Sequence, residues 1–231
     1  MLLAALPLLC SAQNATLQPG KYVTEGGWGH LTLESAKGGA QRFAIEALGG
    51  NMHSCTLDGD IRNGKSLLDT GEPGKPCVVS FKLVGSNVQV SNSTAEQCRQ
   101  FCGMRAAFDG LYLTPAAGCD LPARRSARSK FKALYDKKAY AEARAVLQPV
   151  LANCASTLDR MALSSLRNDL AITQYHLGDF AACISTLAPL EEDASKTDAE
   201  VLKSYPPSDA ESFLPGVRAA RVNLKLCRQV R

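Results

Sequence analysis

The sequence predicts an α+β protein: a small antiparallel β barrel or sandwich followed by an all-α domain of repeated helical hairpins. Three observations point there. Between residues 19 and 114 apolar residues alternate in short runs separated by glycine-rich turns; beyond residue 116 the apolar period becomes helical; and the helical half contains a gapless internal repeat at an offset of 40 residues. With 231 residues the chain suits two modest domains. The expected division is a leader over 1–12, a disulfide-braced β domain over 13–115, a linker over 116–128 and a helical domain over 129–231.

MLLAALPLLCSA at the start is an apolar run of the length of a secretory leader and about half of a membrane span, so no integral span is expected. It lacks the basic residues that open most leaders. Cleavage after Ala12 removes Cys10 and leaves eight of the nine cysteines: Cys55, Cys77, Cys98, Cys102, Cys119, Cys154, Cys183 and Cys227. An even number in an exported chain reads as a disulfide framework, which places the protein in the periplasm or outside the cell. Cys98 and Cys102 have no second pair at zinc-ligand spacing, and no metal site is predicted. The alanine-rich composition suggests a bacterial source, where the glycosylation-like tripeptides Asn14-Ala15-Thr16 and Asn92-Ser93-Thr94 are silent.

The strand candidates are GHLTLES, QRFAIEAL, SCTLDGDI, CVVSFKLV and NVQVSN. In the fourth, Val79, Phe81 and Leu83 share one face, with Ser80 and Lys82 on the other. Cys55 and Cys77 open two of these strands, and a bridge between them would close the loop in between. Glu96–Phe101 reads as a helical turn whose two thiols lie i, i+4, a spacing that also allows a local Cys98–Cys102 bridge. Phe108–Leu113 reads as a closing strand. Its Gly110-Leu111-Tyr112 echoes Gly20-Lys21-Tyr22, as expected of first and last strands that meet to close a barrel.

PAAGCDLPARRSAR, with its prolines and small residues, reads as the linker. In the repeat, Tyr135 aligns with Tyr175, Tyr140 with Phe180, Ala143 with Cys183, Leu147 with Leu187 and Pro149 with Pro189. Each copy is a helical hairpin with an aromatic residue on either side of its turn. The acidic stretch 191–200 reads as a loop. The last segment, from Ser208 or Asp209, reads as an unpaired capping helix that Pro215 kinks or restarts. Antiparallel hairpins bring the start of one helix beside the end of the next, so Cys119 is expected to meet Cys154, and Cys183 to meet Cys227.

LAITQYHLGDFAAC and, more loosely, ALYDKKAYAEAR resemble the tetratricopeptide repeat over residues 129–190, although the 40-residue period is longer than that family's. The resemblance implies protein or peptide binding in a concave groove, with Arg167, Asp169, Thr173 and His176 as groove residues. SCTLDGDI together with CRQFCGMRAAFDGLY resembles small cysteine-braced lysozyme-inhibitor-like bacterial envelope domains, which implies inhibition of, or immunity to, a wall-degrading enzyme. Lysozymes are basic, however, and the β half carries nine basic and nine acidic residues.

The formal charge of +4 falls on the helical half and is too weak to suggest nucleic acid. It comprises a cluster from Arg124 to Lys132 and a helical stripe of Arg218, Arg221, Lys225, Arg228 and Arg231, which suits an anionic partner. His30, His53 and His176 belong to no catalytic motif, and no nucleophile elbow, phosphate loop or dinucleotide fingerprint is present. No catalytic residue or cofactor is therefore assigned. The expected function is a non-enzymatic binding protein of the cell envelope. The alternatives are a small-ligand carrier, with Phe43, Ile45, Val79, Phe81 and Leu83 lining a barrel cavity, and an accessory envelope-polymer hydrolase.

Overall fold

A computed structural model describes residues 17–35 and 37–229. The predicted leader, Cys10, the Asn14-Ala15-Thr16 tripeptide and Arg231 lie outside the described residues. The β half is a meander of β1 (Gly20–Thr24), β2 (Gly29–Leu33), β3 (Gln41–Leu48), β4 (Ser54–Ile61), β5 (Lys65–Leu68), β6 (Cys77–Val84), β7 (Asn87–Asn92) and β8 (Gly110–Leu113). All pairings are antiparallel, in the order β4-β3-β2-β1-β8-β7-β6-β5. First and last strands meet, with Val23 opposite Leu113 and Thr24 opposite Tyr112, so the sheet is a nearly closed barrel.

The two Gly-x-Tyr motifs build the same corner on these adjoining strands. Tyr22 donates its hydroxyl to the carbonyl of Gln18 at 2.7 Å, and Tyr112 donates to Phe108 at 2.8 Å, each reaching four residues back along its own chain. Alternation fills the interior: Leu31, Phe43, Ile45, Leu57, Val79, Val88 and Val90 are buried. Phe43 and Phe81 meet across it with ring centroids 4.7 Å apart. The predicted cavity lining is thus in mutual contact, and Leu83 packs only partly buried against the same core.

β5 lies inside the stretch expected to be a loop. Four residues give too short an alternation to stand out from the surrounding turns, yet Ser66 and Leu68 point inward and are buried. The remaining seam lies between β4 and β5, which are bonded at their turn through Arg62 and Lys65. A short helix, α1 (Ala95–Cys98), and the tighter turn Arg99–Phe101 lead to Cys102, and this segment is linked to β4, beside the seam, and to β6, the neighbour of β5.

Disulfides Cys55–Cys102 and Cys77–Cys98 fix that segment to β4 and β6. The Cys55–Cys77 and Cys98–Cys102 bridges that the sequence allowed are therefore not formed. The helical turn tightens after Cys98, and Cys102 is already extended and pairs as a strand residue with Cys55. The two thiols consequently face different strands.

The helical half contains α2 (Leu121–Asp136), α3 (Tyr140–Cys154), α4 (Arg160–His176), α5 (Phe180–Leu187), α6 (Glu191–Ser195), α7 (Asp198–Ser204) and α8 (Pro207–Gln229). α2 begins inside the predicted linker. Asp120 accepts the Ala123 amide at 2.8 Å as N-cap and Pro122 sits in the first turn, so residues that look linker-like by composition start a helix. The acidic stretch expected as a loop forms α6 and α7, the latter opened by a Thr197/Glu200 capping box. α8 is one helix running through Pro215. It packs on α4, α5, α6 and α7.

α2/α3 and α4/α5 are matching hairpins. Tyr135 meets Tyr140 at 5.3 Å across the first turn, and Tyr175 meets Phe180 at 5.8 Å across the second. Cys119–Cys154 and Cys183–Cys227 are bonded, the second joining α5 to α8. No described helix is long and apolar enough to cross a membrane.

Among the described residues the halves meet at the turn before β2 and at the β3–β4 loop. A Cβ on Gly27 would lie 2.6 Å from the amide nitrogen of Asp159, so only glycine permits that approach. Asn51, at the tip of the β3–β4 loop, accepts the Ser208 amide on its side chain at 3.2 Å while its own amide donates to Asp209 at 3.4 Å.

Candidate functional site

The inner face of the helical half is made by α2, α4 and α8. On α4 the residues that reach it are Met161, Ser165, Asn168, Asp169 and Ile172, spaced three and four apart on one side of the helix. A groove of about 330 Å³ between α4 and α8 is walled by Phe213, Pro215 and Gly216. Two hollows between α4 and α2, of about 170 and 330 Å³, continue it past Arg124, Arg128 and Tyr135. Asp169 lines all three, so they lie side by side along α4 with that carboxylate between them.

Burial raises the Asp169 pKa above the usual aspartate value, and Arg128, 3.7 Å away, pulls it part of the way back. Arg128 also donates to Ser165 at 2.9 Å. Arg124, Arg125, Arg128 and Lys132 give the α2 wall an excess of positive charge over Asp136 and Asp169.

Of the four residues expected in the groove, only Asp169 reaches it. Arg167 donates to the Thr186 carbonyl at 3.0 Å on the side facing α5. Thr173 is fully buried and donates to the Asp169 carbonyl at 2.7 Å. His176 lies flat on Tyr140, with centroids 4.4 Å apart. Residues 167 and 169 are separated by about 200° around a helix, so the set cannot share one face.

The basic stripe is largely engaged within the protein. Arg218 and Arg221 both bond Asp198, whose pKa they hold down. Arg221 also donates to the carbonyls of Ala194 and Lys196, and Arg228 pairs with Glu191. The stripe thus latches α6 and α7 onto α8. Lys225 lies beside Arg221 and Arg228 at the edge of a hollow between α6 and α8.

Where the two halves meet there is a further cleft, of about 480 Å³, that sequence reasoning missed. Trp28, Leu48 and Met52 supply its barrel side, and Arg160, Met161 and Phe213 its helical side. It shares Met161 and Phe213 as lining with the α4/α8 groove and so adjoins it on the barrel side. The one sequence signal was Trp28, the single tryptophan, set among glycines. Its partners lie more than a hundred residues away, and no local pattern links them.

His30 borders the same cleft; burial lowers its pKa, and the charge of Arg124 lowers it further. Among the described residues, no group of three His, Cys, Asp or Glu is placed to share a metal ion. Asp58, on β4, is paired with Arg42 at 2.9 Å. Compared with protein-family models, with curated proteins and with solved structures, the chain matches none.

Proposed function

We propose that the protein is a non-enzymatic binding protein of the periplasm or extracellular space that holds an extended, acidic segment of a partner protein along α2, α4 and α8. The observation that carries this reading is the row of adjoining hollows from Tyr135 past Asp169 to Phe213, with a basic wall on α2. Four disulfides suit an oxidising compartment, and they fix both the seam of the barrel and the ends of the hairpins. The tetratricopeptide-like hairpins support peptide binding, because such arrays present an inner face to extended chains.

The filled interior of the barrel favours a scaffold over a small-ligand carrier. Restraint of a wall-degrading enzyme is one form that binding to an envelope partner would take.

The test is selection of randomised decapeptides on the immobilised full-length protein. The reading expects an enriched pool rich in Asp and Glu, and a loss of affinity of about tenfold in Arg125→Glu/Arg128→Glu, since two wall charges are reversed. A pool without acidic residues, or one indifferent to the double variant, overturns it. Adding the protein to lysozyme and peptidoglycan tests the inhibitory form: unchanged clearing excludes it.

A further inference from the structure

The cleft between the halves is lined by one arginine, Arg160, and two aspartates, Asp159 and Asp209. Asp159 is occupied as the N-cap of α4, accepting the Ala162 amide at 2.8 Å, and Asp209 accepts the Asn51 amide at 3.4 Å. Arg160 is different. Its guanidinium carbon lies 4.3 Å above the Tyr205 ring and 5.5 Å from the Phe213 ring, which are themselves packed edge to face. Among the described residues no carboxylate lies within ion-pair distance of it. Asp193, the acid whose pKa it helps to lower, already accepts Tyr205 and Lys196. The platform thus orients a cation and leaves its hydrogen-bonding edge without an acceptor.

Around that cation the surface is apolar and open. Leu48, at the end of β3, is 57% exposed, and Met52, in the β3–β4 loop, is 70% exposed. Met52 has φ 61°, a conformation rare for a long side chain, next to Asn51 at φ 57°. The bonds from Asn51 to Ser208 and Asp209 hold this bend, which turns Met52 outward beside Leu48. Trp28 forms the floor, resting against Gly110, where a Cβ would stand 3.4 Å from its ring.

We infer that this cleft is the anchor of the peptide site and takes an acidic side chain of the partner flanked by an apolar one. The carboxylate bonds Arg160, and the apolar neighbour covers Leu48, Met52 and Trp28. The inference rests on the peptide-binding reading above. It specifies an internal segment, because the cleft adjoins the α4/α8 groove at Met161 and Phe213, where the chain would pass onward.

Trp28 is the only tryptophan, and its emission reports occupancy without a label. The test repeats the decapeptide selection on the full-length protein, on Arg160→Gln and on Arg160→Glu. Wild type is expected to enrich Asp or Glu next to Leu, Ile, Met or Phe, and the winning peptide to shift Trp28 emission. Arg160→Gln is expected to weaken that peptide by about tenfold, as does replacing its Glu by Gln, with no further loss when both changes are combined. Arg160→Glu is expected to turn the preference toward Lys and Arg.

Enrichment in which acidic and apolar residues are not adjacent, an unchanged preference in Arg160→Glu, or binding that leaves Trp28 emission unmoved overturns the anchor while the peptide-binding reading stands. No enrichment at all overturns both. Should Arg160→Glu fail to fold, Arg160→Gln and the Glu→Gln peptide decide the matter.

Discussion

Lys138 and Gly178 occupy the same place in two successive hairpins, 40 residues apart, and both are left-handed, with φ 61° and 74°. Each follows the end of a first helix and precedes the residue before a second, so the turn requires this conformation whichever side chain is present. Only the second copy carries the residue that adopts it without a steric cost. Lys138→Gly is therefore expected to stabilise the protein by about 0.5–1 kcal/mol, and Gly178→Ala to destabilise it by a similar amount. Urea unfolding of the two variants checks this.

α4 and α8 are held in register by a buried amide pair. Asn168 donates to the carbonyls of Ser164 and Gly216, both at 3.0 Å, and accepts from Asn223 at 3.0 Å. Asn168→Ala leaves the Asn223 amide and the Gly216 carbonyl without this partner in a buried site, at an expected cost of about 2–3 kcal/mol. Asn223→Ala costs less. The double variant is expected to lose less than the sum, by about 1 kcal/mol or more, in a thermal or urea double-mutant cycle.

The barrel disulfides differ in the length of chain they close: 47 residues for Cys55–Cys102 and 21 for Cys77–Cys98. Replacing either pair by alanine is expected to cost about 2–5 kcal/mol, and because the shorter loop is nested inside the longer one, the two losses are expected to be similar. Peptide mapping of the unreduced protein should recover these two pairs. A Cys55–Cys77 linked fragment would contradict the way the seam is closed.

Asp169 and Asp198 give opposite pH dependences. The pKa of Asp169 is raised in the folded protein by burial, so the ionised form is disfavoured by folding. Its protonation favours the folded state below the ordinary aspartate range, and that contribution is lost as pH rises through its folded pKa. Asp169→Asn should therefore melt higher than wild type at neutral pH, with the difference closing in acid. Asp198 is depressed by Arg218 and Arg221, so its contribution is present above the ordinary aspartate pKa and disappears as pH falls through its folded value. Asp198→Asn should melt lower than wild type at neutral pH, and that difference also should close in acid. Melting curves from pH 3 to 8 separate the two signs.

Much of the fold was legible because each long element repeats its own signal. Alternation in Gln41–Leu48 and Cys77–Val84 marks the inward residues, and the 40-residue repeat marks the hairpins. Cys119 and Cys154 were readable as partners because antiparallel helices fix which ends are adjacent. Cys98 and Cys102 were not, since their directions depend on where one helical turn tightens. Within the groove set, helix phase turns Arg167 toward α5, while Thr173, on the same side as Asp169, is buried and bonds back to its own helix, and His176 is covered by Tyr140. The stripe from Arg218 to Arg228 looked free because its acceptors lie in a segment read as loop, where α6 and α7 instead present Glu191 and Asp198 to it. The cleft at Arg160 depends on Trp28 and Phe213, which only the packing of the two halves brings together.

The most direct measurement is amide hydrogen exchange of the full-length protein with and without the decapeptide that wins the selection. Slowed exchange confined to the turns before α4 and α8, the β3–β4 loop, and the inner faces of α2, α4 and α8 is the predicted result. Protection on the outer strands of the barrel or along α6, with 160–176 unchanged, would contradict the account.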